Sequence, residues 1–185
     1  MRLSAVKLSV TILTLLSLNG CATTLLVYGQ ICVGCNLRGA NLARTYIPNL
    51  NASQADLSKA DLDVIIWPGA NLEGAILEGA AGKTPSLERA NLKGTNLKNT
   101  YLGGAVLYEV DLRGAYMWKT YLGGASLQCA NLLGTNLENA DLRGAEYDDN
   151  TRFPPGFDPV KAGTIKHKLS WLTDKTCSKR WDKRF

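Results

Sequence analysis

The chain of 185 residues contains one histidine (His167), two methionines (Met1 and Met117) and three phenylalanines. One imidazole, placed near the C-terminus, leaves no Ser–His or paired-His constellation to assemble, so acid–base chemistry would fall to carboxylates. Long hydrophobic runs are also scarce: LSVTILTLLSL at 8–18 is the clearest, and it is too short to read first as a membrane-spanning helix. No single sign of charge dominates the middle of the chain, where residues 35–149 hold 10 Lys/Arg against 13 Asp/Glu. Residues 150–185 hold 9 against 3, so an anionic partner is to be sought only at this basic tail. A chain of this length supports one well-buried core rather than two domains.

Arg2 and Lys7 precede the short apolar run and NGC follows it, which is the layout of an export signal over 1–21. LNGC at 18–21 resembles a bacterial lipobox, making Cys21 the candidate lipidation site and first mature residue. Ordinary cleavage among Gly20, Cys21 and Ala22, or an uncleaved anchor continuing into the apolar stretch 23–34, are the competing readings. Residues 22–34 are assigned as a lead-in, or N-terminal cap. Cys32 and Cys35, spaced as CVGC, are a candidate local disulfide or redox pair. Without a second CxxC or a nearby histidine they do not suggest zinc, and no strand–helix context supports a redox enzyme. A bridge tying down one end of the domain is preferred; with Cys21 lipidated, Cys32, Cys35, Cys129 and Cys177 remain to pair outside the cytoplasm, and the sequence leaves the pairing open.

From residue 35 the chain divides into fives: CNLRG, ANLAR, TYIPN and onward to AEYDD at 145–149, 23 pentads without an insertion. The third position is Leu in 17 pentads, where average usage would give about two. The first is Ala in 13 and Thr in 5. A period of five matches neither helix nor alternating strand, so it calls for a repeat architecture in which stacking buries what one unit cannot. If each pentad is a short side and a corner, four return the chain to its start, and coils stack at about 4.8 Å. The string TYLGGA, at 100–105 and again at 120–125, marks that period of twenty. First and third positions then point inward, in ladders such as Leu72/Leu92/Leu112/Leu132 and Leu57/Leu77/Leu97/Leu137. Second-position Asn or Asp serves the turn, and fifth-position Gly relaxes the corner.

The motif A(D/N)LxG over 35–149 resembles that of the pentapeptide-repeat family. This resemblance implies an all-β solenoid, a right-handed quadrilateral β-helix. TRFPPGFDPVKAG at 151–163 is similar to the tail that follows the last repeat in many cyanobacterial members. Exported members of that type imply a periplasmic, membrane-anchored or thylakoid-lumen location. The family implies little about activity: most members have none assigned, and a minority protect DNA gyrase by imitating DNA.

Two pentads break the pattern. IIWPG puts Trp67 at an inward position and AAGKT puts Gly82 at another. Either the indole leans into space beside Leu62 and Leu102, or the stretch 63–69 bulges outward. GKT at 82–84 is not a phosphate loop, because Leu77 stands where the required glycine would be.

Outward carboxylates are interspersed with Lys and Arg on a convex wall, which offers no cleft to tune an acid–base pair. No catalytic residue, metal or cofactor is expected, and nucleic acid is not an expected partner. The tail at 150–185 reads as a cap: a loop whose Phe153 and Phe157 shield the last coil, then a short amphipathic helix with Ile165, Leu169 and Leu172 on one side. The tail is alternatively a basic contact for anionic lipid. The candidate interaction patch is Tyr101, Tyr116, Trp118 and Tyr121, with Tyr101 and Tyr121 stacked one coil apart beside bare glycine pairs. The expected function is a non-catalytic exported scaffold that binds an unidentified protein. A purely structural envelope lipoprotein is the alternative, and gyrase protection ranks below both, since 35–149 makes a poor polyanion.

Overall fold

The computed structural model describes residues 31–167 and Cys177. Its backbone pairs in steps of twenty, all parallel, in four columns of bridges. The asparagine face runs from Ile31 through Asn51, Asn71, Asn91 and Asp111 to Asn131. The mixed face runs from Asn36 through Asp56, Ile76 and Asn96 to Tyr116. The tyrosine face passes Asn41, Asp61, Ala81, Tyr101, Tyr121 and Asp141. The acidic face passes Tyr46, Ile66, Ser86, Val106, Ser126 and Glu146. The result is a β-helix-like stack of pentapeptide coils.

One pentad shows how the period arises. Leu72 N–H donates forward to Asn91 O (2.7 Å), and Asn91 N–H donates back to Ala70 O (2.8 Å). Ala75 N–H then closes the corner on Leu72 O (2.9 Å). The corner needs a positive φ at its third residue, as in a type II turn. That residue is the fifth of each pentad, where eleven glycines from Gly34 to Gly144 and eleven other residues have φ between 50° and 75°. Val64 (φ 56°) and Thr84 (φ 50°), both β-branched, are the most strained occupants. Second-position side chains complete the turn: Oδ1 of Asn36, Asn41, Asn91, Asn96, Asn131 and Asp141 each accepts the N–H two residues on.

The leucine ladders are buried, as are the first-position alanines apart from half-buried Ala140. Trp67 stays inside, 1% exposed, its Nε1–H donating to Thr45 Oγ1 at 2.9 Å. The stretch 63–69 does not bulge, since Val64 N–H reaches Lys83 O (3.0 Å) and Gly69 N–H reaches Glu88 O (2.8 Å) in the ordinary way. At Gly82 the backbone itself closes on the coil below: a Cβ there would lie 2.8 Å from Leu62 O. Backbone therefore takes up part of the room a leucine would fill.

The ends depart from the sequence reading. The ladder is already running at Ile31, before the frame assigned from Cys35, because Ile31 bridges to Asn51. Residues 1–30, with the proposed signal and Cys21, lie outside the described residues. The pentad 135–139 is irregular: Asn136 Oδ1, rather than a backbone oxygen, accepts Met117 N–H (2.6 Å), so the mixed face ends at Tyr116. One residue is then inserted before Arg152, which pairs with Asn131 twenty-one positions back. The shift carries Phe153 toward the core, where it stacks on Phe157 (centroids 5.2 Å) and meets Tyr147 edge-on (5.4 Å).

Ile165 does not begin a helix. Strand β1 (Glu146–Tyr147) pairs in parallel with strand β2 (Ile165–Lys166), so the open edge of the last coil recruits Ile165 into the ladder. Leu169 and Leu172 lie outside the described residues.

Candidate interaction surface

Tyr101 and Tyr121 occupy the same outward position on adjacent coils, which the twenty-residue register fixes. Their rings stack with centroids 4.7 Å apart at 11°. Tyr101 is 40% exposed. The glycines beside them are not a bare strip. A Cβ on Gly103 would lie 2.7 Å from the Tyr101 hydroxyl, and one on Gly123 would collide with the Tyr121 hydroxyl. Each tyrosine bends over the glycine two residues on, occupying space that a fourth-position side chain would take. TYLGG is thus one device: the glycine is there to admit the ring.

Tyr116 and Trp118 belong to the mixed face, around the corner formed by Lys119 and Thr120. Tyr116 is 46% exposed and Trp118 half-buried. Ring contacts among the described residues join Tyr101 to Tyr121 but do not bring Tyr116 or Trp118 into that stack. Asn99 N–H donates to Trp118 O (2.9 Å), placing Lys98 one coil below the indole. Lys98 Nζ sits 2.9 Å from a Glu78 carboxylate oxygen. That contact raises the lysine pKa and lowers the glutamate's. Above Tyr121, Asp141 is held below its ordinary range by the Arg143 guanidinium, whose Nε–H donates to it at 2.9 Å. The aromatic surface is thus bordered by neutralised charge pairs rather than by a field of one sign.

Among the described residues, nothing comparable to a reaction centre accompanies it. An open hollow on the asparagine face is lined by Ser53, Gln54, Asn71, Glu73 and Lys93 among others, and Lys93 and Glu73 stand 3.9 Å apart there. Along that face Asn91 Nδ2 donates to Asn71 Oδ1 (3.1 Å), and Asn71 Nδ2 to Asn51 Oδ1 (3.3 Å), a ladder that ties coils together.

Cys32 is joined to Cys35, and Cys129 to Cys177. Cys129, Asp148 and Cys177 are buried and cluster within 4.8 Å, the one group among the described residues with the makings of a metal site. With the sulfurs bonded to each other, no thiolate pair is offered. The Asp148 carboxylate already accepts Cys129 N–H (3.1 Å), Asn150 N–H (3.0 Å) and the Thr151 hydroxyl (2.9 Å). The sequence signal for this cluster is Cys129 itself, standing at a corner position filled elsewhere mostly by Gly, Asn, Lys or Arg.

The pentapeptide-repeat family model matches in eight copies, over residues 32–63, 86–117 and 105–144. The chain belongs to the pentapeptide-repeat family. It is 33% identical to a pentapeptide-repeat protein, alr5209, from Nostoc PCC 7120, covering 71% of this chain and 84% of that one, with a TM-score of 0.28. It is 30% identical to Rfr23 from the cyanobacterium Cyanothece 51142, over 71% and 97% of the two chains, with a TM-score of 0.29. In shape it is similar to a trypsin-treated variant of QnrB1, a plasmid-mediated fluoroquinolone resistance protein. That match has a TM-score of 0.55, at 14% identity over 73% of this chain and 78% of the other, and shows the fold alone. No curated protein matches the chain. Like other pentapeptide-repeat proteins it is not an enzyme. No helix among its described residues is long and apolar enough to cross a membrane.

Proposed function

We propose that this pentapeptide-repeat protein is an exported, non-catalytic scaffold, a right-handed quadrilateral β-helix that binds a partner protein across the corner between its tyrosine and mixed faces. The stacked, outward Tyr101–Tyr121 pair carries the reading. Exposed aromatic rings on a rigid sheet lose little entropy on contact and recur as binding anchors. Tyr116 and Trp118 extend the surface around the corner. Cys21 is its lipid attachment point, and a mass measurement on the membrane fraction decides this: an unmodified full-length N-terminus excludes both lipidation and cleavage.

The binding test is retrieval of proteins from extracts of the source cells by immobilised mature protein. The variant carrying Trp118→Ala and Tyr121→Ala is expected to lose at least ten-fold of the specifically retained partner, with an unchanged circular dichroism spectrum. Identical recovery by both forms overturns the reading.

A second reading, gyrase protection, is the one that a minority of the family implies; the likeness in shape to a fluoroquinolone resistance protein adds the shared fold and nothing more. Opposed charges pair on the mixed and tyrosine faces, as at Glu78–Lys98 and Asp141–Arg143, and residues 35–149 carry 13 acids against 10 bases, so the acidity is confined to one face and the coils as a whole make a poor polyanion. Full protection in an inhibitor assay with the mature protein would establish this second reading.

A further inference from the structure

The four faces differ in charge. The acidic face exposes Glu88, Glu146 and Asp149, with Glu109 and Asp148 buried in it, against Arg89 alone, whereas acids and bases are balanced to within one on each of the other three. It also exposes an apolar column, with Tyr46 at 63%, Ile66 at 43% and Val106 at 38%. The chain beyond residue 150 is basic, and its described part already returns to this face. Strand β2 pairs with β1 there, the Lys166 ammonium contacts Asp149, and His167 Nε2 lies 3.3 Å from Glu146 Oε1. Cys177 is bonded to Cys129 at the corner of the same face, 4.0 Å from the Tyr108 hydroxyl one coil further from the cap. His167 and Cys177 therefore mark two points on one face, about two coils or roughly 10 Å apart along the stack. The segment that follows, SKRWDKRF at 178–185, has four basic residues, one acid and two aromatics.

We propose that the acidic face is the docking surface for the chain's own C-terminal segment 178–185, and that the Cys129–Cys177 disulfide is the latch that holds it there. The occupant is singled out by covalent attachment at the edge of the face and by opposite charge. Its two aromatics also match the exposed apolar column. The latch opens by exchange with a protein dithiol: the Cys129–Cys177 bond breaks, both sulfurs become thiols, and the partner's two thiols close into a disulfide. Two electrons and two protons pass to this chain. Cys129 keeps its position in either state, because its N–H is held by buried Asp148. Reduction thus frees the segment without dissolving the coil beneath it.

The test is trypsin cleavage of the purified full chain at Lys179, Arg180, Lys183 and Arg184, followed by intact-mass measurement. Peptide mapping of the oxidised protein should show the Cys129–Cys177 cross-link. Cleavage is expected to be at least ten-fold slower in the oxidised protein than in the same protein treated with dithiothreitol, with identical circular dichroism. Cys177→Ser should cleave at the reduced rate. With the disulfide intact, Glu88→Lys with Glu146→Lys should speed cleavage several-fold, as should 0.5 M salt (about 4 Å screening length). Equal rates in oxidised and reduced protein, or absence of the cross-link, would overturn the latch. Protection that ignores both the charge reversals and salt would overturn docking on the acidic face.

Discussion

The inside and the outside of this stack have obeyed different rules. Inward, one ladder reads Leu72, Leu92, Leu112, Leu132, each buried. Outward, the column on the tyrosine face reads Asn41, Asp61, Ala81, Tyr101, Tyr121, Asp141, over the same backbone pairing. An inward residue must fill a fixed volume between four walls at close packing, which leaves little choice of size. An outward residue need only leave the twenty-residue hydrogen bonds intact. The repeat is therefore a statement about the fold, and departures from it on the outer faces are where binding is to be sought.

That contrast is broken most directly from the inside. Leu112→Ala removes a side chain 1% exposed in the middle of its ladder, between Leu92 and Leu132. Both neighbours are held by their own coils and cannot collapse into the gap. A loss of about 2–5 kcal/mol is expected in urea unfolding. A loss under about 0.5 kcal/mol would mean the side chain is not inward.

A smaller effect probes the polar link that Trp67 makes to the neighbouring coil. Its indole N–H is buried and donates to Thr45 Oγ1 one coil below. Thr45→Val keeps the shape and removes the acceptor, so a destabilisation of about 1–3 kcal/mol is expected. Thr45→Ser should restore most of it. If valine and serine behave alike, the hydrogen bond contributes nothing and the indole is held by packing alone.

The sequence made the core legible because its signal is redundant: twenty-three pentads repeat one demand, and a single odd residue does not erase it. Trp67 and Gly82 were visible as exceptions, but not their resolution, since whether a chain bulges or a backbone shifts depends on contacts with residues twenty positions away. The C-terminal end departs from its local pattern for a related reason. Ile165 has helical spacing to Leu169 and Leu172, and local pattern favours a helix, yet the unpaired edge of the last coil takes Ile165 as a strand partner for Glu146. At the aromatic surface, the register fixed which tyrosines would meet. The direction of each ring did not follow from it: TYLGG suggests open glycine, whereas the ring itself covers the glycine.

The smallest expected effect on stability separates the two roles of an outward tyrosine. Tyr121→Asn restores the residue most common at second positions. Its Oδ1 would accept the Gly123 N–H, as Asn131 does for Leu133. The stacked pair with Tyr101 is lost, a cross-strand contact of about 0.2–1 kcal/mol, and the new turn bond offsets part of that. Urea midpoints should therefore barely move, while partner recovery still falls several-fold. Were stability to drop by more than about 2 kcal/mol, the stack would be a structural element of the coil. The contrast between a constrained interior and a free exterior would then fail at the place where it is most visible.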